Sequence, residues 1–208
     1  KVTNKDKRKS TIEWFIKIVP ILILSIYTTS IISITQSSFP LELALGGINR
    51  PALDQTLIGI ILSVQLLIIV IIQWPIGKWI SSKKLDFGLS FGIFNLGIAS
   101  AILIISNLYS QGIIFVFISL FPIAIGLASF LPTANEIIIK LVATNKRGIA
   151  MSMYSQCFGI SSLITPTITG LILDKTGSGI WIWLISLILC FILFPLTLKV
   201  YPKNIEKI

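Results

Sequence analysis

Few side chains in this sequence are equipped for chemistry, and their placement limits what that chemistry is. The 208 residues contain no histidine, so the chain offers neither an imidazole base nor an imidazole metal ligand. The two cysteines, Cys157 and Cys190, lie far apart, each inside an apolar run. They read as small buried side chains, not as a disulfide or metal pair. No Asp or Glu is expected inside a membrane-length apolar run, so clustered carboxylates for acid–base or metal work are missing too. No cofactor is expected. Glu136 is the acid nearest such a run, and an ion pair with Lys140, four residues on, or with Arg147 is its expected role.

What remains is a set of neutral polar groups in apolar surroundings. Ser25, Thr29, Ser33 and Gln36 fall on one helical face, with Tyr27 and Thr28 beside it. Gln65, Asn95 and Gln156 are amides that need partners in such a setting. Each either contacts a solute or bonds across helices, and the sequence leaves both roles open.

The elements that position these groups are membrane helices. Hydrophobic residues make up 54% of the chain and charged residues 12%, where a soluble domain carries about 25% charged. Apolar stretches of about 20 residues, the length of a bilayer-crossing helix, recur along it. Six spans are predicted: 14–36, 57–80, 87–106, 113–131, 149–173 and 180–200, between a basic segment 1–13 and a tail 201–208. The expected fold is an all-α integral membrane bundle. The first apolar run is too long for a signal-peptide core, and the opening on Lys1 suggests a piece of a longer protein or a processed chain.

Lysine and arginine set the orientation. With the N-terminus inside, the cytoplasm receives Lys1, Lys5, Lys7, Arg8, Lys9, Lys17, Lys78, Lys83, Lys84, Lys140, Lys146, Arg147, Lys199, Lys203 and Lys207. Arg50 and Lys175 alone of the 17 basic residues fall outside. Such asymmetry puts both termini in the cytoplasm. It also accounts for the net charge of +9, so nucleic acid is not expected as a partner. The segment 37–56 reads as a turn-rich outer loop with no periodic apolar face, holding Pro40, Gly46, Gly47 and Pro51. The segment from Pro132 reads as an interfacial helical extension of the fourth span.

Two spans carry stripes of small residues. One is Ser152, Ser155, Gly159, Ser162, Pro166 and Gly170 on the fifth span; the other is Ser119, Pro122, Gly126, Ser129 and Thr133 on the fourth. Such stripes let membrane helices approach closely, and helix packing is their simplest reading. Around them stand Gln73-Trp-Pro-Ile-Gly77 before a basic turn, Arg147-Gly148 at a helix start, and Gly170-Leu-Ile-Leu-Asp174-Lys175-Thr-Gly177 before a Trp-rich last span.

In this order and spacing the motifs resemble the C-terminal half of the major facilitator superfamily, helices seven to twelve, over nearly the whole chain. Phe39-Pro40-Leu41 resembles the exit from helix seven, and Gln73–Gly77 the signature loop between helices eight and nine. Ser81 and Ser82 stand where that loop has an acid and an arginine, and Thr165-Pro166 where an antiporter pattern has Gly-Pro. The segments 75–88 and 166–177 echo one another, which suggests a three-plus-three inverted repeat.

The resemblance implies a secondary transporter that moves a small solute by alternating access, of a drug- or metabolite-efflux type, in a bacterial inner membrane. Its partners would be the lipid bilayer and an N-terminal half of the same protein. The polar face of the first span, with Gln65 and Gln156, would line the cavity. Gly77, Gly126, Arg147, Gly159, Pro166, Gly170 and Asp174 would serve packing or gating. A proton-coupling acid, if one is used, is expected outside this chain. The rivals are a free-standing six-helix protein, dimeric or channel-like, and a membrane enzyme; the missing histidines and carboxylates oppose the enzyme.

Overall fold

A computed structural model describes residues 4–200, with side chains from Trp14 onward. No strand occurs among the described residues. That is what lipid demands of an open chain, because every backbone N–H and C=O must be paired within its own segment. Helix α1 (Asn4–Ser33) continues through a π segment (Ile34–Ser38) into α2 (Phe39–Leu45). Then follow α3 (Gln55–Ser81), α4 (Leu85–Leu108), α5 (Ile113–Leu141), a 3₁₀ turn (Thr144–Lys146), α6 (Arg147–Thr176) and α7 (Ile180–Thr197). Six helical stretches are long and apolar enough to cross a membrane, with Trp14–Leu45 counting as one. The basic residues of 1–13 and 201–208 that entered the orientation argument lie outside the described side chains.

One expectation fails at the end of the first span. The chain does not leave the helix at Gln36 for a turn-rich loop; it stays helical to Leu45. Pro40 falls in the first turn of α2, where a missing N–H costs least. The N–H of Phe39 reaches back to the Ile34 carbonyl, a five-residue π step that carries the helix across. Phe39 and Leu43 are fully buried, so α2 has the apolar face that was not anticipated. A second correction follows: Glu42 stands within a membrane-length helix, so the spans do hold a carboxylate. Further along, α5 passes through Pro132 and carries the anticipated helical extension as part of one continuous helix.

The packing has two dense parts, which meet through lighter contacts of α1 with α5 and α7. Helices α3, α4, α5 and α7 form a block in which α4 packs most heavily on α5 and then on α7, and α3 packs on α5. Glycines bring α4 and α5 together. A Cβ added to Gly92 would lie 2.9 Å from the Phe130 Cβ, and one added to Gly126 would lie 2.8 Å from Leu96. Ser100 and Ser186 hydroxyls, 2.9 Å apart, and those of Ser90 and Thr197, 2.7 Å apart, join α4 to α7.

The other unit is α1 with α6, joined by hydroxyls. Thr29 Oγ1 meets Ser161 Oγ at 2.8 Å, Ser161 donates to the Ile26 carbonyl at 3.0 Å, and Thr165 donates to Ser30 at 3.1 Å. Ser38 and Thr169 close the series. Bonds of this kind hold membrane helices together by about 0.6 kcal/mol each.

Candidate functional site

Two polar sites stand out, one open and one sealed. The open one is a groove of about 460 Å³ between α1, α5 and α6, lined by Thr29, Ile32, Leu131, Asn135, Tyr154, Ser155 and Phe158. None of these side chains carries a formal charge. The groove offers hydroxyl and amide groups, a phenol and an exposed aromatic ring, an arrangement suited to a solute with an apolar body and a few hydrogen-bonding groups.

Of the expected cavity residues, Thr29 alone lines this groove. Its hydroxyl is already engaged by the Ser25 carbonyl at 2.7 Å and by Ser161. Ser25 is fully buried and donates to Ile21 within its own helix; Ser33 and Gln65 are buried. Tyr27 turns away toward α7, where its hydroxyl lies 3.2 Å from the Ser186 carbonyl. Gln36 and Gln156 are exposed. The predicted face therefore splits: most of it bonds across or along helices, the role left open as the alternative to solute contact. Asn135, Tyr154 and Phe158 were not singled out. Tyr154 and Phe158 stand four residues apart on α6, and Asn135 four after Leu131 on α5, but nothing in the sequence says which helices converge.

Most of the predicted small-residue stripe of α6 is left uncovered within this chain. Ser152, Ser155, Gly159 and Ser162 are exposed, and the residues facing α1 are Cys157, Ser161 and Thr169, on an adjacent face. A Cβ added to Gly77 or Gly170 would meet nothing within 4 Å, and one added to Gly159 would reach only Gln156, at 4.0 Å. Pro166 is half-buried and Asp174 exposed. Gly126, in contrast, is packed tightly, as a helix-packing role requires. Arg147 is exposed and donates to the Ile139 carbonyl at 3.2 Å. Glu136 and Lys140 form the anticipated ion pair, 2.7 Å apart and half exposed.

The sealed site lies where α2, the loop 46–54, the end of α4 and the start of α7 meet. Glu42 and Arg50 are 3.1 Å apart with side chains 1% and 0% exposed. Glu42 Oε1 also accepts from Asn107 Nδ2 at 2.9 Å, and its Oε2 from Trp183 Nε1 at 2.7 Å. Arg50 donates to Ser106 at 3.0 Å, and Ser178 donates to the Asn107 Oδ1 at 3.3 Å. Gly179 lies so close to the Glu42 side chain that a Cβ there would collide with it, and a Cβ on Gly47 would lie 2.8 Å from the Asn107 Cα. Phe39 packs edge-on against Trp183, ring centroids 5.7 Å apart. A carboxylate with this many donors is held in place, and such bonds offset much of the cost of leaving water, though the buried Arg50 Nε has no hydrogen-bond partner among the described residues. The sequence held one hint: an acid and an arginine within a short stretch otherwise free of charge before Asp54.

Comparison with known proteins places this architecture. The chain is 28% identical over 136 residues to a Protein TsgA homolog from Buchnera aphidicola subsp. Schizaphis graminum (strain Sg), a match spanning 65% of this chain and 33% of that relative's length. The Major Facilitator Superfamily signature matches residues 18–208, nearly all of the membrane-spanning region. With six membrane-length helices carrying that signature, the chain belongs to the major facilitator superfamily, a family of transporters, and is a multi-pass membrane protein.

Proposed function

We propose that this chain is the C-terminal six-helix half of its transporter and moves a small solute by rocking against an N-terminal half. The carrying observation is the uncovered small-residue face of α6 beside the α1–α5–α6 groove. Gly159 and Gly170 there have open space where a Cβ would stand. A face free of bulk lets a second helical surface approach and slide, and a groove next to it becomes a closed cavity once that surface is in place. Thr29, Asn135, Tyr154 and Ser155 would then be the solute-facing groups from this half. The turn between α3 and α4 and the turn between α6 and α7 carry the echoed motifs at opposite ends of the bundle, in keeping with an inverted repeat.

In this reading both termini face the cytoplasm of a bacterial inner membrane, the Lys83–Lys84 turn lies inside and the Glu42 cluster outside. Export is the direction that the family resemblance favours. A proton-coupling acid, if export is proton-driven, belongs to the other half, since Glu42 is fully engaged and no carboxylate lines the groove.

The test is uptake and release of labelled candidate solutes in liposomes holding the full-length protein, with and without a pH gradient. Gly159→Trp should abolish transport while leaving the melting temperature of the protein within a degree or two. Transport unaffected by that bulk would remove the sliding face, and a functional dimer of this chain alone would replace the two-half reading with a six-helix protein.

A further inference from the structure

The structure points to a motion inside this bundle, separate from the rocking of two halves and independent of which solute is carried. We propose that α1 and α6 swing together as one unit against the α3–α4–α5–α7 block, about a pivot fixed by the Glu42–Arg50 cluster and through a hinge at the π segment.

Four observations carry this. First, α6 packs chiefly on α1 and only lightly on α5 and α7, so whatever moves α1 carries α6 with it. The hydroxyl pairs Thr29–Ser161 and Ser30–Thr165 supply that linkage. Second, gaps flank the pair on both sides. The groove toward α5 holds about 460 Å³, and a cleft between α1, α6 and α7 holds about 220 Å³. Around these gaps α1 still touches α5 and α7, and Tyr27 bonds to Ser186, so a swing exchanges those lighter contacts and keeps the heavier α1–α6 one.

Third, the tops of both helices are pinned to the block at one place. α2, continuous with α1, is held by Glu42 to Trp183 and Asn107. The turn that ends α6 is held by Ser178 to the same Asn107. Gly179 against Glu42 and Gly47 against Asn107 leave this junction no slack. Fourth, the pinned and swinging parts of the first helix are separated by the π segment Ile34–Ser38. A π step is rare, occurs mostly as a single-turn bulge inside an α-helix, and is frequent at functional sites. The opposite end of the pair, at the 3₁₀ turn Thr144–Lys146, is tied to α5 by an exposed bond from Arg147 to the Ile139 carbonyl and has no buried ion pair among the described residues. The pair therefore hangs from the Glu42 end, and its free end moves most.

The experiment uses spin labels on the full-length protein in lipid nanodiscs, with distances measured by double electron–electron resonance. Three exposed positions are each paired with Phe94 on α4: Leu45 at the pivot, Ile16 low on α1, and Ile149 low on α6. The expected result is one narrow distance distribution for Leu45–Phe94, and broad or two-peaked distributions for the other two that change together. Trp183→Phe removes one donor from Glu42 and keeps the ring, so the protein is expected to fold. It should broaden Leu45–Phe94 at least twofold. Three equally narrow distributions, or Ile16 and Ile149 behaving differently from each other, would overturn the proposal, as would an unchanged Leu45–Phe94 distribution in the Trp183→Phe protein.

Discussion

The two small-residue stripes of this chain look alike in sequence and meet opposite fates. The stripe on α5, with its counterpart glycines on α4, is closed: Gly92 and Gly126 bring the two backbones together with no room for a methyl group. The stripe on α6 is open: a Cβ on Gly170 would meet nothing within 4 Å and one on Gly159 only the Gln156 side chain of its own helix. The difference lies in what each helix is built to meet. α4 and α5 form the heaviest helix contact of the block, closed at Gly92 and Gly126. α6 is held chiefly from one side, largely by hydroxyls, and leaves its smallest face uncovered. Small residues at spacings of three and four therefore announce a close approach, not the partner that makes it.

The comparison is broken most severely at the junction that ties the two units together. Glu42→Ala leaves Arg50, Asn107 and Trp183 buried without their shared acceptor. Removing one partner of a buried ion pair costs about 3–5 kcal/mol, so the protein should lose most of its thermal stability and fold poorly. Glu42→Gln with Arg50→Gln removes both charges and should recover much of the loss. Thermal unfolding in detergent, followed by circular dichroism, measures both. A double variant no more stable than Glu42→Ala would mean that the pairing of charges is not what holds the junction.

Within the block, Gly126→Val forces branched bulk against Leu96 and the Gly92 carbonyl. Overpacking of this kind costs about 1–3 kcal/mol, and the same unfolding assay should show it. Between α1 and α6, Ser161→Ala removes a hydroxyl that meets Thr29 and donates to Ile26. The expected loss is about 0.6 kcal/mol, the average for interhelical hydrogen bonds in membranes. A loss as large as that of Gly126→Val would mean that α1–α6 is welded like the block.

Much of this organisation is legible in the sequence, and the part that is not has a physical reason. The run lengths of Leu, Ile and Phe give six crossings because lipid leaves a helix as the only solution for each. The stretch 37–45 misleads because Pro40 and the serines before it have turn chemistry, whereas a single π step lets the helix absorb the proline. Glu42 escapes notice for the same reason: once the stretch is read as loop, an acid there reads as solvated. The groove eludes the sequence differently. Periodicity gives each helix a polar face, but whether that face meets lipid, another helix or an open groove depends on which helices converge. Tyr27 and Thr29, two residues apart, show this by ending on opposite sides of α1.

The smallest predicted effect sharpens the comparison best. Gly159→Ala adds to α6 the methyl group that Gly126 could not accept on α5. Within this chain the methyl enters open space, and alanine is the better helix former by up to about 1 kcal/mol, so stability should hold or rise slightly. Transport should behave otherwise. If the uncovered face slides against a second helical surface, one methyl at its centre narrows the approach and slows turnover several-fold, while solute affinity in the groove changes little. The informative measurement is therefore the pair of numbers, melting temperature and maximal transport rate, taken on the same preparation of full-length protein. A fall in the rate without a fall in stability marks a moving contact, because a static packing interface would lose both together. A variant with both values unchanged would leave the α6 face as lipid-facing surface, and its small residues would then have no partner to explain them.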